Sequence, residues 1–376
     1  MIDTDNNQVT TYLQLVGCFA IEGSPVSITP FGSGHINDTY KILTDSPDGP
    51  NYMLQRINNN VFKNVDHLME NIDKVCNHIK NKLKSEGVSA LEDHVLTPIP
   101  TKNGALYHKD EQDNYWRIFV LIEGTKTYDI VETTQQAKEG GRAFGKFQAM
   151  LADLNPLDIH EVIPSFLHIG SRLRHFKQAI EQDAAGRVNE LKEETTFILE
   201  RENKMNTVLG MAAKSQIPLR ITHNDTKFNN VLLNRDDRAQ CVIDLDTVMP
   251  GYVAYDFGDA IRTIINTAAE DEADTRKVLL NIPLFEAYTK GYLESAHHFL
   301  YPMEVTSLVD GVLLLPYMQM VRFLTDYLSG DTYYKINHPK HNLQRTKAQM
   351  KLVQEIEKHE SLLRNIVRKE ADTYQT

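Results

Sequence analysis

Cysteine is scarce in this chain, and the three cysteines that it has lie far apart. Cys18, Cys76 and Cys241 fit neither a metal-ligand spacing nor a disulfide pattern. Sparse thiols of this kind are typical of a reducing compartment. We therefore expect a cytoplasmic protein without a disulfide framework.

The chain also lacks an excess of positive charge and a long apolar run. Its 40 Lys and Arg residues against 51 Asp and Glu residues give a formal net charge of −11. Because nucleic-acid-binding surfaces are normally basic, we expect no nucleic-acid partner. No apolar run approaches the roughly 20 residues of a membrane span, and residues 1–10 do not form a signal peptide. We expect no membrane association, and no motif implies a protein partner.

A length of 376 residues is too great for one compact core and indicates two domains. Short alternating segments, typical of strands, dominate up to WRIFVLIEG, which ends at Gly124. From Thr133 onward the apolar residues recur at helical spacing. We therefore predict one domain over residues 1–124 and a second, mainly helical domain over residues 125–376.

The helices are predicted from apolar stripes and from their polar ends. In the first domain these signals predict helices over residues 9–22 and 66–84. In the second domain they predict helices over residues 133–154, 171–183, 187–213, 271–280, 283–295, 306–328 and 345–371.

The stretch from Arg220 to Arg262 carries the chemistry. His223, Asp225 and Asn230 form the pattern H-x-D-x-x-x-x-N. VLLN and QCVID alternate around a polar turn and so predict a β-hairpin, with Asn230 and Asp244 at its open end. One carboxylate that accepts a hydroxyl proton, with an amide and a second carboxylate that hold Mg²⁺, is an arrangement typical of phosphoryl transfer.

The competing interpretation is that these residues are ordinary polar turn residues beside two strands. A second array, D-x-x-D-x-x-R, follows directly and makes the combined pattern harder to explain in that way. Its members are Asp256, Asp259 and Arg262.

The combined pattern resembles the aminoglycoside and choline kinase superfamily, whose fold is similar to that of protein kinases. More narrowly, HNDTKFNNVLL…VIDLDTVMPGYVAYDFGDAIR is similar to the N-acetylhexosamine 1-kinases, which phosphorylate the anomeric hydroxyl of a free amino sugar. The resemblance implies an α+β, two-lobe fold with a small antiparallel β-rich N-lobe and a larger, mainly helical C-lobe. It implies ATP and Mg²⁺ as cofactors and a small sugar as the substrate.

The same resemblance assigns roles to residues of the catalytic stretch. Asp225 is the expected base, and His223 is expected to support its loop. Asn230 and Asp244 are the expected metal ligands.

The first domain contains candidates for nucleotide contacts. A strand, a Gly-rich turn and a second strand are predicted over residues 27–44, and glycine lets backbone N–H groups approach phosphates closely. Gly32, Ser33 and Gly34 are therefore phosphate-loop candidates, although an ordinary hairpin has the same pattern. The resemblance adds His35 as a sugar contact, for which a solvated loop histidine is the alternative.

Three further nucleotide-site candidates come from the resemblance. Arg56 is the only cation of the strand NYMLQRIN and is given the phosphate-pairing role, unless alternation turns it toward solvent. Glu70 is its candidate ion-pair partner, with a surface glutamate as the alternative. The backbone near Ile122, where WRIFVLIEG enters the hinge, is expected to hold the adenine. Trp116 in that strand is expected to pack in the core.

The acceptor residues are predicted from VRFLTDYLSGDTYY, which is similar to a sugar-pocket segment of the 1-kinases. The matching residues are Arg322 and Tyr333, and a purely structural basic and aromatic cluster is the alternative. A small-molecule kinase acting on an aminoglycoside, choline, ethanolamine or another sugar stays open. Choline would call for an aromatic cage, and residues 125–376 contain no tryptophan. A catalytically silent kinase-like binding protein is disfavoured because the base and both metal ligands are present.

Overall fold

The computed structural model describes residues 6–32 and 36–374, with side chains from Thr11 onward. The chain forms two compact units. The first comprises residues up to Thr125 together with 160–163 and 243–246, and the second comprises 126–159, 164–242 and the chain from Thr247 onward. The first unit thus ends one residue beyond the predicted boundary at 124. It also takes in two short segments that the sequence analysis placed in the second domain.

The first unit is an antiparallel sheet with two helices. Its strands are β1 (Pro25–Pro30), β2 (Asp38–Thr44), β3 (Tyr52–Ile57), β4 (Pro98–Ile99), β5 (His108–Lys109) and β6 (Tyr115–Val120), and its helices are α1 (Asn6–Val16) and α2 (Val65–Ser85). The sheet order is β1-β2-β3-β6-β4, and β5 also pairs with β6. The helix predicted over 66–84 is confirmed, and the Asn64 side chain caps its start by accepting a hydrogen bond from the His67 N–H.

The two faces of this sheet differ in what they pack against. Tyr52, Leu54 and Trp116 lie on one face, in a core that includes Leu15 and Val16 of the α1 region. The core position predicted for Trp116 is confirmed. The other face carries Met53, Gln55 and Arg117, and Arg117 contacts the sulfur of Met69 on α2. Strand alternation therefore separates an α1 face from an α2 face.

The second unit consists of eight helices in its described part, with two short strand pairs. The helices are α3 (Thr134–Leu151), α4 (Ile169–Gln182), α5 (Lys192–Met205), α6 (Thr207–Ala213), α7 (Val253–Ile264), α8 (Ile282–Ala296), α9 (Pro302–Leu328) and α10 (His341–Asp372). The strands are β7 (Arg220–Thr222), β8 (Val231–Leu233), β9 (Ala239–Val242) and β10 (Met249–Gly251). β7 pairs with β10 and β8 with β9, both antiparallel, so the predicted hairpin is confirmed.

Glycines allow two helix pairs of this unit to approach closely. A Cβ added to Gly291 of α8 would collide with the Lys138 carbonyl of α3, and one added to Gly141 would collide with the Tyr288 carbonyl. Gly311 of α9 faces the Ala254 carbonyl of α7 in the same way. Close packing thus explains why glycines interrupt helices whose intrinsic propensity they lower.

Two helix predictions need correction, and one helix was not predicted. The stretch 187–213 divides into a short 3₁₀ turn and the helices α5 and α6, with the break at Asn206. The helix predicted over 271–280 is wrong, because only a 3₁₀ turn at Thr275–Lys277 forms there, and Leu279 bonds to Thr267 instead. Helix α7 was not predicted at all.

Helix α9 also corrects the statement that no segment is long and apolar enough to span a membrane. Its 27 residues pass that test by length and composition. However, 78% of its most apolar window is buried inside the protein. Core helices pass the same test, so this helix is weak support for a membrane span.

Candidate active site

The loop that carries Asp225, residues 223–230, begins where β7 ends. It is called the catalytic loop below, after the role predicted for Asp225. Thr222, the last residue of β7, pairs with Met249 of β10. Asn224 then adopts a left-handed backbone with φ of 63°, a conformation that asparagine tolerates better than most residues. Its side-chain amide donates to the carbonyls of Thr222 and Thr247 at 3.1 and 3.0 Å. The turn into the loop is therefore fixed by a side chain that suits it.

Two carboxylates of α7 hold the loop backbone. The N–H groups of His223 and Asn224 donate to Asp256 at 2.8 and 2.7 Å, and the N–H of Thr226 donates to Asp259 at 3.0 Å. Asp256 is 1% exposed, and burial raises the pKa of its carboxyl, while these N–H donors act in the opposite direction. Asp256 and Asp259 are three residues apart, so one helix face presents both to the loop.

The predicted supporting residue His223 is fully buried. Its ring lies edge-on to Phe144 and Phe147 of α3, with centroids 5.6 and 5.7 Å away. The Asp225 N–H lies 3.3 Å from its Nδ1 atom. His223 thus contacts the loop backbone from the core side, and its supporting role stays a prediction.

The predicted base Asp225 is partly exposed, with 26% of its side chain accessible. The Lys227 Nζ lies 2.9 Å from its Oδ1, and the Asn230 amide donates to the Asp225 carbonyl at 2.8 Å. Burial acts to lower the pKa of Lys227, but the Asp225 carboxylate outweighs it, so the pKa is raised. The sequence analysis missed Lys227, for which a cation two residues after the expected base was the only signal.

The predicted metal ligands flank the hairpin in the sequence. Asn230 directly precedes β8, and Asp244 follows β9 by two residues, in the 243–246 segment of the first unit. Asp244 is exposed and has a φ of 60°. No group of three or more His, Cys, Asp or Glu side chains suited to a metal occurs in the described part of the chain. An amide and a carboxylate nevertheless fit Mg²⁺, which keeps several waters and binds substrate phosphates.

The phosphate-loop candidates are only partly described. Gly32 has a φ of 80°, and a Cβ there would meet no atom within 4 Å. Left-handed backbone of this kind favours glycine. Ser33, Gly34 and His35 lie outside the described residues, so their roles stay predictions.

The predicted pair of Arg56 with Glu70 is wrong. Arg56 pairs with Asp38 across the β2–β3 register, and Glu70 lies 2.9 Å from the Nε2 of His160. Directly opposed residues of an antiparallel pair share a face, and Arg56 is opposite Trp116, on the α1 face. The Arg56 side chain is 46% exposed and therefore faces solvent, which is the alternative given for it in the sequence analysis. Its predicted phosphate role has no support in this position.

A buried cation on the α2 face of the sheet is Arg117 of β6. It is 2% exposed, and its Nη1 lies 2.6 Å from the Oδ1 of Asp246. Its Nε donates to Gln55, and Asn37 donates to the other oxygen of Asp246 at 2.7 Å. The sequence analysis missed this buried pair because Arg117 lies inside an apolar strand, where its charge gave no separate signal.

The predicted adenine contact Ile122 follows the end of β6. It is 8% exposed, and its carbonyl accepts a hydrogen bond from the Thr125 hydroxyl at 3.2 Å. Its role in holding adenine stays a prediction.

A second loop of the second unit carries the predicted acceptor residues. Asp326, near the end of α9, accepts hydrogen bonds from the N–H groups of Thr332, Tyr333 and Tyr334 at 2.8 to 2.9 Å. The Asn342 amide of α10 donates to the same carboxylate. This anchor loop, residues 329–334, is thus held by its backbone.

The two predicted sugar contacts differ in position. Arg322 is half-buried, and its guanidinium carbon lies 5.6 Å from the ring centroid of Tyr334. Tyr333 is 71% exposed and packs only against Tyr334 among the described rings. Tyr334, which the sequence analysis did not single out, is therefore the aromatic residue beside Arg322.

Arg262 forms two ion pairs beneath the loop of Asp225. It donates to Asp259 at 3.0 Å and to Glu270 at 2.7 Å. Burial acts to lower its pKa, but Asp259, Glu270 and also Asp225 raise it above its ordinary value. Arg262 thus joins Asp259, which accepts from the N–H of Thr226, to Glu270.

A known protein family matches most of this chain. The sequence profile of the phosphotransferase enzyme family, APH, matches residues 27–295. That range includes the sheet, the catalytic loop, the hairpin and α7. It ends before the anchor loop.

Solved structures of similar fold cover almost the whole chain. A microcompartment-associated aminopropanol kinase is 16% identical, with a TM-score of 0.65 over 94% of this chain and 98% of its own. Spectinomycin phosphotransferase in complex with ADP and spectinomycin is 13% identical, with a TM-score of 0.53 and coverage of 97% and 99%. The ethanolamine kinase of Plasmodium vivax is 13% identical, with a TM-score of 0.52 and coverage of 86% and 82%. At these identities the likeness concerns the fold, and the predicted α+β, kinase-like fold class is confirmed.

Proposed function

Because the chain belongs to the phosphotransferase enzyme family, we propose that it is an ATP-dependent kinase whose acceptor is the anomeric hydroxyl of a free N-acetylhexosamine. The observation that carries the proposal is the environment of Asp225. Its carboxylate is accessible, while the loop beneath it is held by the buried Asp256 and by Asp259. A rigid backbone with one open carboxylate is what a positioned base requires.

In this proposal Asp225 accepts the proton of the attacking hydroxyl. The hydroxyl oxygen forms a bond to the terminal phosphorus of ATP, and the bond between that phosphorus and the ADP oxygen breaks. An anomeric hydroxyl is more acidic than an ordinary alcohol, so a carboxylate is an adequate base. Lys227, whose Nζ lies 2.9 Å from the Asp225 Oδ1, holds the carboxylate in place by an ion pair.

ATP and Mg²⁺ are the cofactors of this proposal. Among proteins of similar fold, the amicoumacin kinase structure contains AMP-PNP and Ca²⁺, and the spectinomycin phosphotransferase structure contains ADP. Asn230 and Asp244 supply the amide and carboxylate oxygens for the metal. When bound, Mg²⁺ would neutralise the charge of the phosphates.

The acceptor is inferred from the side chains near the anchor loop. Arg322 and the tyrosines 333 and 334 offer hydrogen-bond donors and flat rings, which suit the hydroxyls and one face of a sugar. Aminopropanol and ethanolamine, named in the similar structures, are cationic at neutral pH. Arg322 and a second arginine, Arg172, both contact Phe166, and their positive charges would repel a cation. This observation favours a sugar over an amino alcohol.

The test is to incubate the pure protein with Mg-ATP and a panel of N-acetylhexosamines, choline, ethanolamine and aminoglycosides, and to measure ADP release. We expect turnover of an N-acetylhexosamine and a product whose phosphorus couples to the C1 proton in phosphorus NMR. The matched control is the 1,5-anhydro sugar, which lacks only the anomeric hydroxyl and should not be phosphorylated. A phosphate coupled to the C6 protons, or no turnover of any N-acetylhexosamine, would refute the proposal.

A further inference from the structure

Two arginines of the second unit lie around Phe166 without an acidic partner: Arg172 bonds to its carbonyl, and the Arg322 guanidinium carbon lies 6.0 Å from its ring centroid. Arg172 of α4 donates to the Phe166 carbonyl at 2.7 Å, and Arg322 of α9 donates to the Gln319 side chain at 3.0 Å. Within the described residues neither forms an ion pair with a carboxylate. Burial lowers the pKa of Arg172, and the charge of Arg322 lowers it further. Two like charges therefore share a partly desolvated place, which is unfavourable unless something compensates them.

Most other partly buried arginines of this unit are compensated within the chain. Each has a carboxylate oxygen within ion-pair distance: Arg142 has Glu294, Arg187 has Asp331, Arg201 has Glu357, Arg220 has Glu304, Arg262 has Asp259 and Arg364 has Asp310. Three partly buried arginines depart from this rule, Arg172, Arg322 and Arg345, and the first two of them lie around one residue, Phe166. No carboxylate of the described residues compensates Arg172 and Arg322.

Hydrogen-bond donors at the same place are also unused. The Nε of Arg172 and the hydroxyl of Tyr334 are buried and have no hydrogen-bond partner among the described residues. The Tyr334 ring lies 5.6 Å from the Arg322 guanidinium carbon and packs on Phe323 at 4.8 Å. Buried donors without acceptors are rare in folded proteins and usually indicate a missing ligand or water. Here the unused donors coincide with the uncompensated charge.

We propose that Arg172, Arg322 and Tyr334 form a site for an oxyanion, and that the acceptor substrate carries this oxyanion as a carboxylate. A carboxylate accepts several hydrogen bonds and matches the planar fork of a guanidinium. The inference rests on the proposed function in one respect, because it narrows the acceptor from any N-acetylhexosamine to one with an acidic substituent. The oxyanion site itself does not depend on that activity.

The first experiment measures oxyanion binding directly, with inorganic phosphate as the probe and isothermal calorimetry as the readout. Wild type is compared with Arg172→Gln and with Arg174→Gln, the matched control on the exposed side of the same helix. Loss of a charge-assisted contact should weaken phosphate binding by roughly 10- to 100-fold in Arg172→Gln and leave the control unchanged. Arg172→Lys keeps the charge without the fork and should lie between them, which covers a failure of Arg172→Gln to fold. Equal affinity in wild type and both Arg172 variants would overturn the site.

The second experiment distinguishes an acceptor-borne anion from a free one. We expect N-acetylglucosaminuronic acid to have a higher kcat/KM than N-acetylglucosamine in wild type and in Arg174→Gln, and the preference to disappear in Arg172→Gln. The acid should also compete with phosphate. A preference for the neutral sugar, or phosphate binding that the acid leaves unchanged, would overturn the acceptor-borne carboxylate.

The two proposals fail in distinguishable ways. If neither sugar is phosphorylated but phosphate binding requires Arg172, the sugar kinase function is wrong and the oxyanion site stands. If the neutral sugar is phosphorylated and phosphate binding does not depend on Arg172, the function stands and the site is wrong.

Discussion

Two loops of the second unit are held by the same device, a buried aspartate that accepts backbone N–H groups. Asp256 holds the catalytic loop, and Asp326 holds the anchor loop. The catalytic loop has further bonds: Asp259 accepts from Thr226, and the Thr226 hydroxyl donates to the Asp256 carbonyl. The anchor loop is held by the Asp326 carboxylate, by the amide of Asn342, and by its own Asp331, whose carboxylate accepts from Asn342 and pairs with Arg187.

The way in which each loop is held matches a different role, proton transfer for the catalytic loop and acceptor binding for the anchor loop. The catalytic loop is fixed in several independent ways and exposes one carboxylate, as a loop must when one proton has to be accepted at one place. The anchor loop is held at its backbone by Asp326 and at its Asp331 side chain by Arg187 and Asn342, and it exposes Tyr333 while it packs Tyr334 beside Arg322. We infer that the first loop determines the reaction and the second determines the acceptor.

The largest expected effect tests the chemical side of this contrast. Asp225→Asn removes the base but keeps the size of the side chain, so kcat should fall by roughly 10²- to 10⁴-fold. The KM for ATP should change little, and the melting temperature serves as the control for folding. Near-normal turnover of this variant would show that Asp225 is not the base. The catalytic loop would then be held rigid for a reason other than proton transfer.

The next effect is on stability. Asp256→Asn replaces an acceptor of two backbone N–H groups and of the Gln148 amide by a group with one acceptor and two donors. Because hydrogen bonds to a buried charged group are strong, the free energy of unfolding should fall by about 3 kcal/mol, measured by urea denaturation. Activity should fall as well. A variant as stable as wild type would show that the catalytic loop does not depend on this carboxylate.

A smaller and more selective effect is expected at the anchor loop. Asp326→Asn should destabilise the protein by about 1–2 kcal/mol, less than Asp256→Asn, because the anchor loop is nearer to solvent and its N–H groups can bond to water. The KM for the acceptor should rise several-fold while that for ATP stays unchanged, the signature of lost acceptor binding. Equal increases of both KM values would contradict the inference that the anchor loop determines the acceptor.

The smallest effect is expected at Asp271, an exposed carboxylate in the segment between α7 and α8. His341 lies 3.0 Å from Asp271, and its hydrogen bond lowers the pKa of Asp271. A depressed carboxyl pKa stabilises the fold above the unfolded value of about 3.9, and this stabilisation is lost as the pH falls through the folded pKa. Asp271 is 45% exposed at the side chain, so Asp271→Asn should cost at most about 1 kcal/mol near neutral pH.

The comparison of urea denaturation at pH 6 and pH 3 measures this dependence. The variant should differ from wild type at pH 6, and the difference should be smaller at pH 3, because the stabilisation falls once the pH drops below the unfolded pKa. A difference that persists undiminished at pH 3 would exclude the carboxylate charge as its cause.

The sequence predicted those elements whose residues carry a local signal. The hairpin follows from alternation around a polar turn, and α2 follows from an apolar stripe with a capping asparagine. Helix α7 was missed although its sequence carries a helical signal. Asp256, Asp259 and Arg262 recur every three residues and so share one face, but they were interpreted as a site array and not as the polar face of a helix.

Other site residues could not be predicted because their positions depend on tertiary contacts. Alternation shows that Arg56 and Gln55 lie on opposite faces of β3, but it does not show which face meets α2. The pair of Arg172 and Arg322 joins two helices that are distant in the sequence. Lys227 had a weak local signal, its position two residues after Asp225, and it could have been found.

The way in which Asp326 holds the anchor loop has a consequence for how such enzymes diversify. Its partners in residues 332–334 are backbone amides, and every residue except proline has one. The side chains at these positions are therefore free to change without loss of the loop conformation. A substitution library at residues 332, 333 and 335, with Asp326 and Asn342 retained, should yield folded variants with altered acceptor range. In evolution, the same freedom would let substrate preference drift while the scaffold and the reaction stay the same.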